Sequence, residues 1–153
     1  MPNAQPHPIN NFNFAIEIKV DGVAPRVCDA AFSECDGLEM NLEVKTLREG
    51  GNNTRQYRLN GPVAYGNLSL KRGVTATFDL WDWFQGVTAD PKLRADAQVV
   101  VYAADGRTVT MSFKLTRCVP IKLKAPALNA VSGNIAVEEL QLAYETLTLE
   151  KPR

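Results

Sequence analysis

Hydrophobic and polar side chains alternate from Phe12 to Val20 (FNFAIEIKV): Phe12, Phe14, Ile16, Ile18 and Val20 share one parity, and Asn13, Glu17 and Lys19 the other. A period of two sends successive side chains to opposite faces, so this run predicts a strand with one buried face. Asp21-Gly22 follows as a turn, and Val23 to Ala31 is weaker, with Pro25 favouring an edge or loop. Alternation resumes from Leu38 to Leu47, with Leu38, Met40, Leu42 and Val44 opposed to Glu39, Asn41, Glu43 and Lys45. A third strand is predicted over Val63 to Lys71, with Leu68 and Leu70 opposed to Asn67, Ser69 and Lys71. Between the second and third runs lies Arg48 to Asn60 (REGGNNTRQYRLN), a polar, glycine-rich segment too long for a simple hairpin turn and read here as a loop.

Gly73 ends the third strand and the period changes. Phe78, Trp81 and Phe84 recur at near-helical spacing, so a short helix is predicted, capped by Thr75 or Thr77, with Asp79 in its first turn and Gly86 at its C′ position. Phe78, Trp81 and Phe84 are the expected anchor of this helix on the sheets, with Trp81 largely buried. The run Gln98 to Ala103 is a compact apolar strand, and Asp105-Gly106 reads as a type I′ hairpin turn. The returning strand, Thr108 to Cys118, points Val109, Met111, Phe113 and Leu115 inward and Thr108, Thr110, Ser112, Lys114 and Thr116 outward. Pro120, Pro126 and Gly133 bracket a second long connection. The last strand, Ile135 to Leu149, changes parity, which a β-bulge near Glu138-Glu139 would reconcile.

These elements predict a mainly β chain: two packed antiparallel sheets, or a barrel-like sandwich, with one short α-helix over an open end. The division expected is a flexible arm over residues 1–11, carrying Pro2, Pro6 and Pro8, and one β domain over residues 12–153.

A length of 153 residues suits one core, and 45 % hydrophobic with 22 % charged residues is an ordinary globular composition. Seventeen basic residues balance seventeen acidic ones, which argues against a strong overall field for nucleic acid. No apolar run reaches the roughly 20 residues of a membrane helix, so membrane insertion by the chain is not expected. The N-terminal stretch MPNAQPHPINN lacks the apolar segment of a secretory signal. Cys28, Cys35 and Cys118, an odd count without a close pair, fit reduced thiols and synthesis in the cytoplasm.

Enzymatic companions are missing. The single histidine, His7, lies in the arm, where no Ser-His-Asp or Cys-His set can be built around it. No cysteine or histidine spacing matches a metal site, and Gly50-Gly51-Asn52-Asn53-Thr54 lacks the end of a phosphate loop. The chain is therefore expected not to be an enzyme and to need no cofactor. Glu138 and Glu139 would point to opposite faces of a strand. The Trp81, Trp83, Phe84 cluster could stack on a sugar or base, but helix packing is the simpler role.

Four strands with polar faces, and sheet edges that must be covered, are both accommodated if protomers join edge to edge in a ring around a water-filled channel. A monomeric sandwich also has polar outer faces, so the pattern alone leaves both open. The motifs that add to it are the F-x-F-x-I-x-I strand at Phe12 to Ile18 and Phe32-Ser33-Glu34-Cys35-Asp36-Gly37-Leu38. Arg48-Glu49-Gly50-Gly51-Asn52, Leu70-Lys71-Arg72-Gly73 and Trp81-Asp82-Trp83 follow, then the Asp105-Gly106 hairpin and the closing strand from Glu138 to Glu145. In this order and at this length the chain resembles the tail-tube proteins of contractile phage tails and phage-tail-like injection systems, including the secreted-tube protein of type VI systems.

The resemblance implies a structural subunit whose sheets join between protomers into hexameric rings, stacked helically into a smooth inner tube. It implies a contractile sheath, baseplate and tube-terminating proteins as partners, protein or DNA cargo in the lumen, and a working location in a virion or an injection particle. On that footing Glu39, Asn41, Glu43, Lys45, Thr110, Ser112, Lys114, Gln141 and Glu145 are expected to face the lumen. Arg48, Glu49, Arg55, Tyr57 and Arg58 are expected to make contacts between stacked rings. A baseplate initiator forming a single ring, or a monomeric ligand-binding β-barrel, are the alternatives.

Overall fold

The computed structural model describes residues 13–20, 32–48, 50–51, 54–73, 78–131, 133 and 135–151. The arm, Asp21-Gly22, Val23 to Ala31, Glu49, Thr75 and Thr77 lie outside them. Nine strands and one helix are present among the described residues: β1 (Phe14–Val20), β2 (Glu34–Asp36), β3 (Met40–Arg48), β4 (Gln56–Tyr65), β5 (Leu68–Gly73), α1 (Asp79–Ala89), β6 (Ala95–Tyr102), β7 (Val109–Lys124), β8 (Val137–Ala143) and β9 (Thr146–Glu150).

Seven strands form one antiparallel sheet in the order β1-β6-β7-β8-β5-β2, with β9 also paired to β7. The sixteen-residue β7 is its spine. Its first part pairs with β6 on one side and β9 on the other, and its last part pairs with β8. The change comes at Arg117, whose φ of 52° is left-handed. Across it Leu115 faces Ala97 and Cys118 faces Ala95, three residues against two. That bulge turns the strand and keeps Leu115 and Cys118 both inward.

The sheet thus folds over into two layers. Ile16, Ile18, Val99 and Leu115 line one inner face, Leu68, Leu70, Leu140 and Leu142 the other, and all belong to a single core with Leu80 and Trp83 of α1. The path of strands runs from β1 to β2 without closing. The predicted two-sheet architecture with one helix is therefore present, in its open form and not as a barrel.

Several local expectations change. The Asp105-Gly106 turn is not type I′. Only Gly106 has a positive φ there, 72°, and its N–H bonds the carbonyl of Ala103 at 2.9 Å. Asp105 keeps an ordinary φ because its carboxylate accepts from the backbone N–H of Arg107 and of Thr108, at 2.8 and 2.9 Å. No bulge lies at Glu138-Glu139, since β8 runs in unbroken register along β5. The apparent parity change arises because Glu138 itself points inward, while Ile135 and Val137 stay on the surface. Pro120 sits within β7 and does not open the connection.

The helix begins at Asp79, after Phe78 in a left-handed conformation at φ 53°, and Asp79 Oδ1 accepts the Leu80 N–H at 2.9 Å. Gly86 is inside the helix; its carbonyl accepts from Asp90, which ends it. The expected anchor is wrong in phase. Phe78 and Trp81 are 59 % and 39 % exposed and Phe84 is half-buried, whereas Trp83 is 4 % exposed and Leu80 is fully buried. Leu80, Trp83 and Val87 form the stripe that meets the core, and α1 packs on β7.

Candidate assembly surfaces

β3 and β4 form a separate two-stranded ribbon that leaves the sheet and buries no residue along either strand. The segment read as a long loop is mostly part of it. Gln56 to Asn60 belong to β4, Arg48 ends β3, and Gly50-Gly51 turn the tip, Gly51 with a φ of 92°. The third predicted strand, Val63 to Lys71, is in fact the end of β4, a break at Gly66-Asn67, and β5.

The root of the ribbon is fixed by Tyr144. Its hydroxyl donates to the carbonyl oxygen of Gly37 at 2.9 Å and accepts the Glu39 N–H at 3.4 Å, while its ring packs 5.6 Å from that of Tyr65, tilted by 50°. Burial pushes the Tyr144 phenol above its ordinary range, so it stays a donor. Gly37 has a φ of 105°, and a Cβ there would lie 2.0 Å from the carbonyl oxygen of Asn67. Only glycine permits this approach of the ribbon's entry to its exit.

Register divides the ribbon into two faces. Leu42 opposes Val63 and Val44 opposes Asn60, so β4 carries one extra residue at Gly61-Pro62. Near the root, Met40, Leu42, Val44 and Val63 share an apolar face and Asn41, Glu43 and Lys45 a polar one. Towards the tip the assignment reverses. Leu47, Tyr57 and Leu59 lie on the side of Lys45, and Thr46, Arg48, Gln56 and Arg58 on the side of Val44. All these apolar side chains are exposed. Cross-strand partners share a face, so the ribbon carries two uncovered apolar patches on opposite sides.

The residues expected in the lumen do not gather on one face of one sheet. Glu39, Asn41, Glu43 and Lys45 are exposed on or beside the ribbon. Thr110, Ser112 and Lys114 lie on the outer side of β7 and Gln141 on that of β8. Ser112 is only 7 % exposed, because β9 runs alongside and its Oγ donates to Glu150 Oε2 at 3.3 Å. Thr110 Oγ1 donates to the carbonyl of Val101 at 3.0 Å, and Glu145 pairs with Arg117 at 2.9 Å. Of the residues expected between rings, Arg48, Tyr57 and Arg58 are exposed on the ribbon and Arg55 lies beside its tip, while Glu49 is outside the described residues.

Two arrangements were not anticipated. Arg72, 2 % exposed, opposes Glu138 across the ladder with Nε 2.5 Å from Oε1, and its other nitrogens reach Asp79 at the start of α1. Its guanidinium also lies 5.7 Å over the Phe32 ring. The inward parity of Leu68-Leu70-Arg72 and of Glu138-Leu140-Leu142 carried this signal. On the outer face, Glu34, Lys71, Glu139 and Lys124 stand side by side on four neighbouring strands, alternating in sign. Lys71 Nζ lies 3.2 Å from Glu34 Oε2.

No group of acidic, cysteine or histidine side chains able to hold a metal occurs among the described residues. The Cys35 thiol is pushed up to about 11 by burial and by Asp36, and that of Cys118 to about 12 by burial and then Asp96. Both thiols are protonated near neutrality and poor nucleophiles. Among the described residues no helix is long and apolar enough to cross a membrane.

The fold is found in solved structures. A chain of the six-fold symmetrised anti-feeding prophage baseplate matches with a TM-score of 0.85 at 24 % identity, over 96 % of this chain and 98 % of that one. A chain of the sheath–tube complex of an extracellular contractile injection system, PVC, in the extended state matches with a TM-score of 0.81 at 21 % identity, over 95 % and 93 %. Hcp1 from Flavobacterium johnsoniae is more distant, with a TM-score of 0.51 at 15 % identity, over 90 % and 95 %. No curated protein matches the sequence. Residues 10–148 match the family described as T4-like virus tail tube protein gp19, and the chain therefore belongs to that family of structural tube subunits.

Proposed function

We propose that this chain forms hexameric rings, joined through sheet edges, that stack into the inner tube of a contractile phage tail or injection particle. The observation that carries this reading is the β3–β4 ribbon. It is nine and ten residues long in its two strands, apolar on part of each face, and covered by none of the described residues of its own chain. A lone two-stranded ribbon is marginal in water, and exposed apolar faces of this extent mark contact sites. A neighbouring copy is the cover that a tube subunit always has at hand.

In this reading the polar root face of the ribbon, Asn41, Glu43 and Lys45 with Glu39, lines the channel together with Thr110, Lys114, Gln141 and Glu145. Ser112 contributes only through its neighbours. Mixed charge without an apolar stripe would let protein or DNA cargo slide. Arg48, Arg55, Tyr57 and Arg58, with Glu49, act at the tip in contacts between rings. Ring closure and stacking are both heterologous contacts, the first closing and the second propagating. The chain acts as a structural element without catalysis or cofactor. It is made in the cytoplasm and works in a virion or extracellular particle, with a sheath, a baseplate and a terminating cap as partners.

The test is negative-stain imaging and sizing of the purified protein. Six-fold rings and tubes support the reading. A single ring class that never stacks points to a baseplate initiator, and a stable monomer at high concentration overturns both.

A further inference from the structure

The outer face of the β5–β8 layer carries its charge in rows. Register places Glu34, Lys71, Glu139 and Lys124 side by side on β2, β5, β8 and β7. Two residues along each strand, Asp36, Ser69, Gln141 and Lys122 form a second row. Leu70 and Leu140, between the rows, are buried in the core, so both rows stand on the solvent side. The ribbon extends this face. Tyr65, whose ring packs on that of Tyr144, opposes Met40, so the parity of Met40 continues the core side and that of Asn41, Glu43 and Lys45 the outer side.

Sign alternates along the first row. Lys71 stands between Glu139 and Glu34, 3.2 Å from the latter, and Glu139 between Lys71 and Lys124. Glu43 and Lys45 repeat the alternation on β3. No arginine occurs in either row, and Arg48 and Arg58 stand on the opposite side of the ribbon. Neighbouring strands lie about 4.8 Å apart, so the sign repeats about every 10 Å and the fields cancel a short way above the face. Double-stranded DNA carries one charge per about 1.7 Å of its axis. It is held by unpaired cations or guided by a wall of its own sign, and this face offers neither. A lysine that turned to a phosphate would leave its carboxylate facing the same polyanion. A protein surface carries both signs in small groups, so here it meets no field that holds it and none that repels it.

We propose that these rows line the channel and that its cargo is protein and not nucleic acid. The inference rests on the tube reading above, which places Gln141 in the channel. Gln141 belongs to the second row, so the rest of the face comes with it. The cargo left open in that reading is narrowed to one class.

The test uses tubes of the full chain assembled, in separate samples, with four fluorescent probes: an acidic protein, a basic protein of similar mass, a short DNA duplex and uncharged dextran of matched size. Probe enclosed in the washed tubes is measured at low and high salt. Both proteins are expected to match dextran within about twofold, and the duplex to be enclosed at least about threefold less than dextran at low salt. A preference for one sign of protein overturns the balanced wall. Duplex enclosed as well as dextran at low salt overturns the choice of protein, and the tube reading stands. In a variant, Glu34→Lys and Glu139→Lys are combined, which makes the first row wholly basic. Neither carboxylate is in the core, so folding is kept. Its tubes are expected to enclose at least about tenfold more duplex than those of the parent and to lose that gain at high salt. Unchanged duplex uptake by normal tubes of the variant overturns the rows' place in the channel. A parent that forms no tubes overturns the tube reading itself.

Discussion

Nε of Arg72 lies 2.5 Å from Oε1 of Glu138, directly across the β5–β8 ladder, with both side chains almost wholly out of water. The guanidinium also holds Asp79 in the first turn of α1, so one cation ties two strands to the helix. Removing one partner of a buried pair leaves the other charge without compensation, at a cost of about 3–5 kcal/mol. Glu138→Ala is expected near the lower end of that range, because Asp79 remains for Arg72. Urea unfolding gives the value. A midpoint equal to that of the parent would show that the pair does not stabilise the β5–β8 ladder.

Trp83, and not Trp81, is the helix's anchor in its own chain. Trp83→Ala is expected to cost about 3–5 kcal/mol, as truncation of a buried aromatic does, whereas Trp81→Ala stays within about 1 kcal/mol in the unassembled protein. Trp83 Nε1 has no hydrogen-bond partner among the described residues, so Trp83→Phe should lose markedly less than Trp83→Ala. Thermal melts of the three variants decide it, and equal losses at 81 and 83 would contradict the observed helix phase.

That helix shows why part of the molecule was legible in the sequence and part was not. Two apolar stripes run along it, Phe78-Trp81-Phe84 and Leu80-Trp83-Val87, both at helical spacing. Which of them meets the core depends on how β7 presents itself, a tertiary fact. β1 was legible because its alternation is strict and one face is buried in the same chain. The alternation of β3 was equally legible, yet the face it marks is exposed and buried by none of the described residues of its own chain. Its partner β4 was hidden by Asn60, Gly61 and Pro62, which lower strand propensity without preventing a ribbon. Glu138 was misread because an inward carboxylate breaks the apolar parity unless its cross-strand arginine is known. The candidate site suffered most, since lumen and stacking faces are properties of an assembly.

Tyr144→Phe removes the hydroxyl that donates to Gly37 and accepts from Glu39. The loss of a buried hydrogen bond costs about 0.5–1.5 kcal/mol. The ring stays packed on Tyr65, so the core is kept and the ribbon root loosens. Hydrogen exchange at the Glu39 and Gly66 amides is expected to speed up, with core strands unchanged. Unaltered exchange at the root would mean that Tyr144 does not hold the ribbon.

Asp105 gives an acid-limb test. Hydrogen bonds from the Thr108 hydroxyl and from the backbone of Thr108 and Arg107 hold its carboxyl at about 2, below 3.8. A carboxyl more acidic when folded stabilises the fold above its unfolded pKa, and that contribution is lost as pH falls through the folded value. Melting temperature should therefore fall between about pH 4 and pH 2 more steeply in the parent than in Asp105→Asn. Identical slopes in that window would contradict the role of this turn.

In the proposed assembly the ribbon's tip controls stacking and ring closure goes through sheet edges elsewhere, so loss of the tip is expected to leave closure intact. Reversing Arg55 and Arg58 to glutamate should weaken stacking more at low salt than at high salt, since exposed charges are screened within about 8 Å at physiological ionic strength. The most direct measurement replaces Arg48 to Asn60 with a short Gly-Ser turn and counts assemblies by electron microscopy beside the parent. Tubes from the parent, with isolated rings or short stacks from the shortened ribbon, are the expected result. Tubes of parental length from the shortened ribbon would contradict the ribbon's place in the assembly.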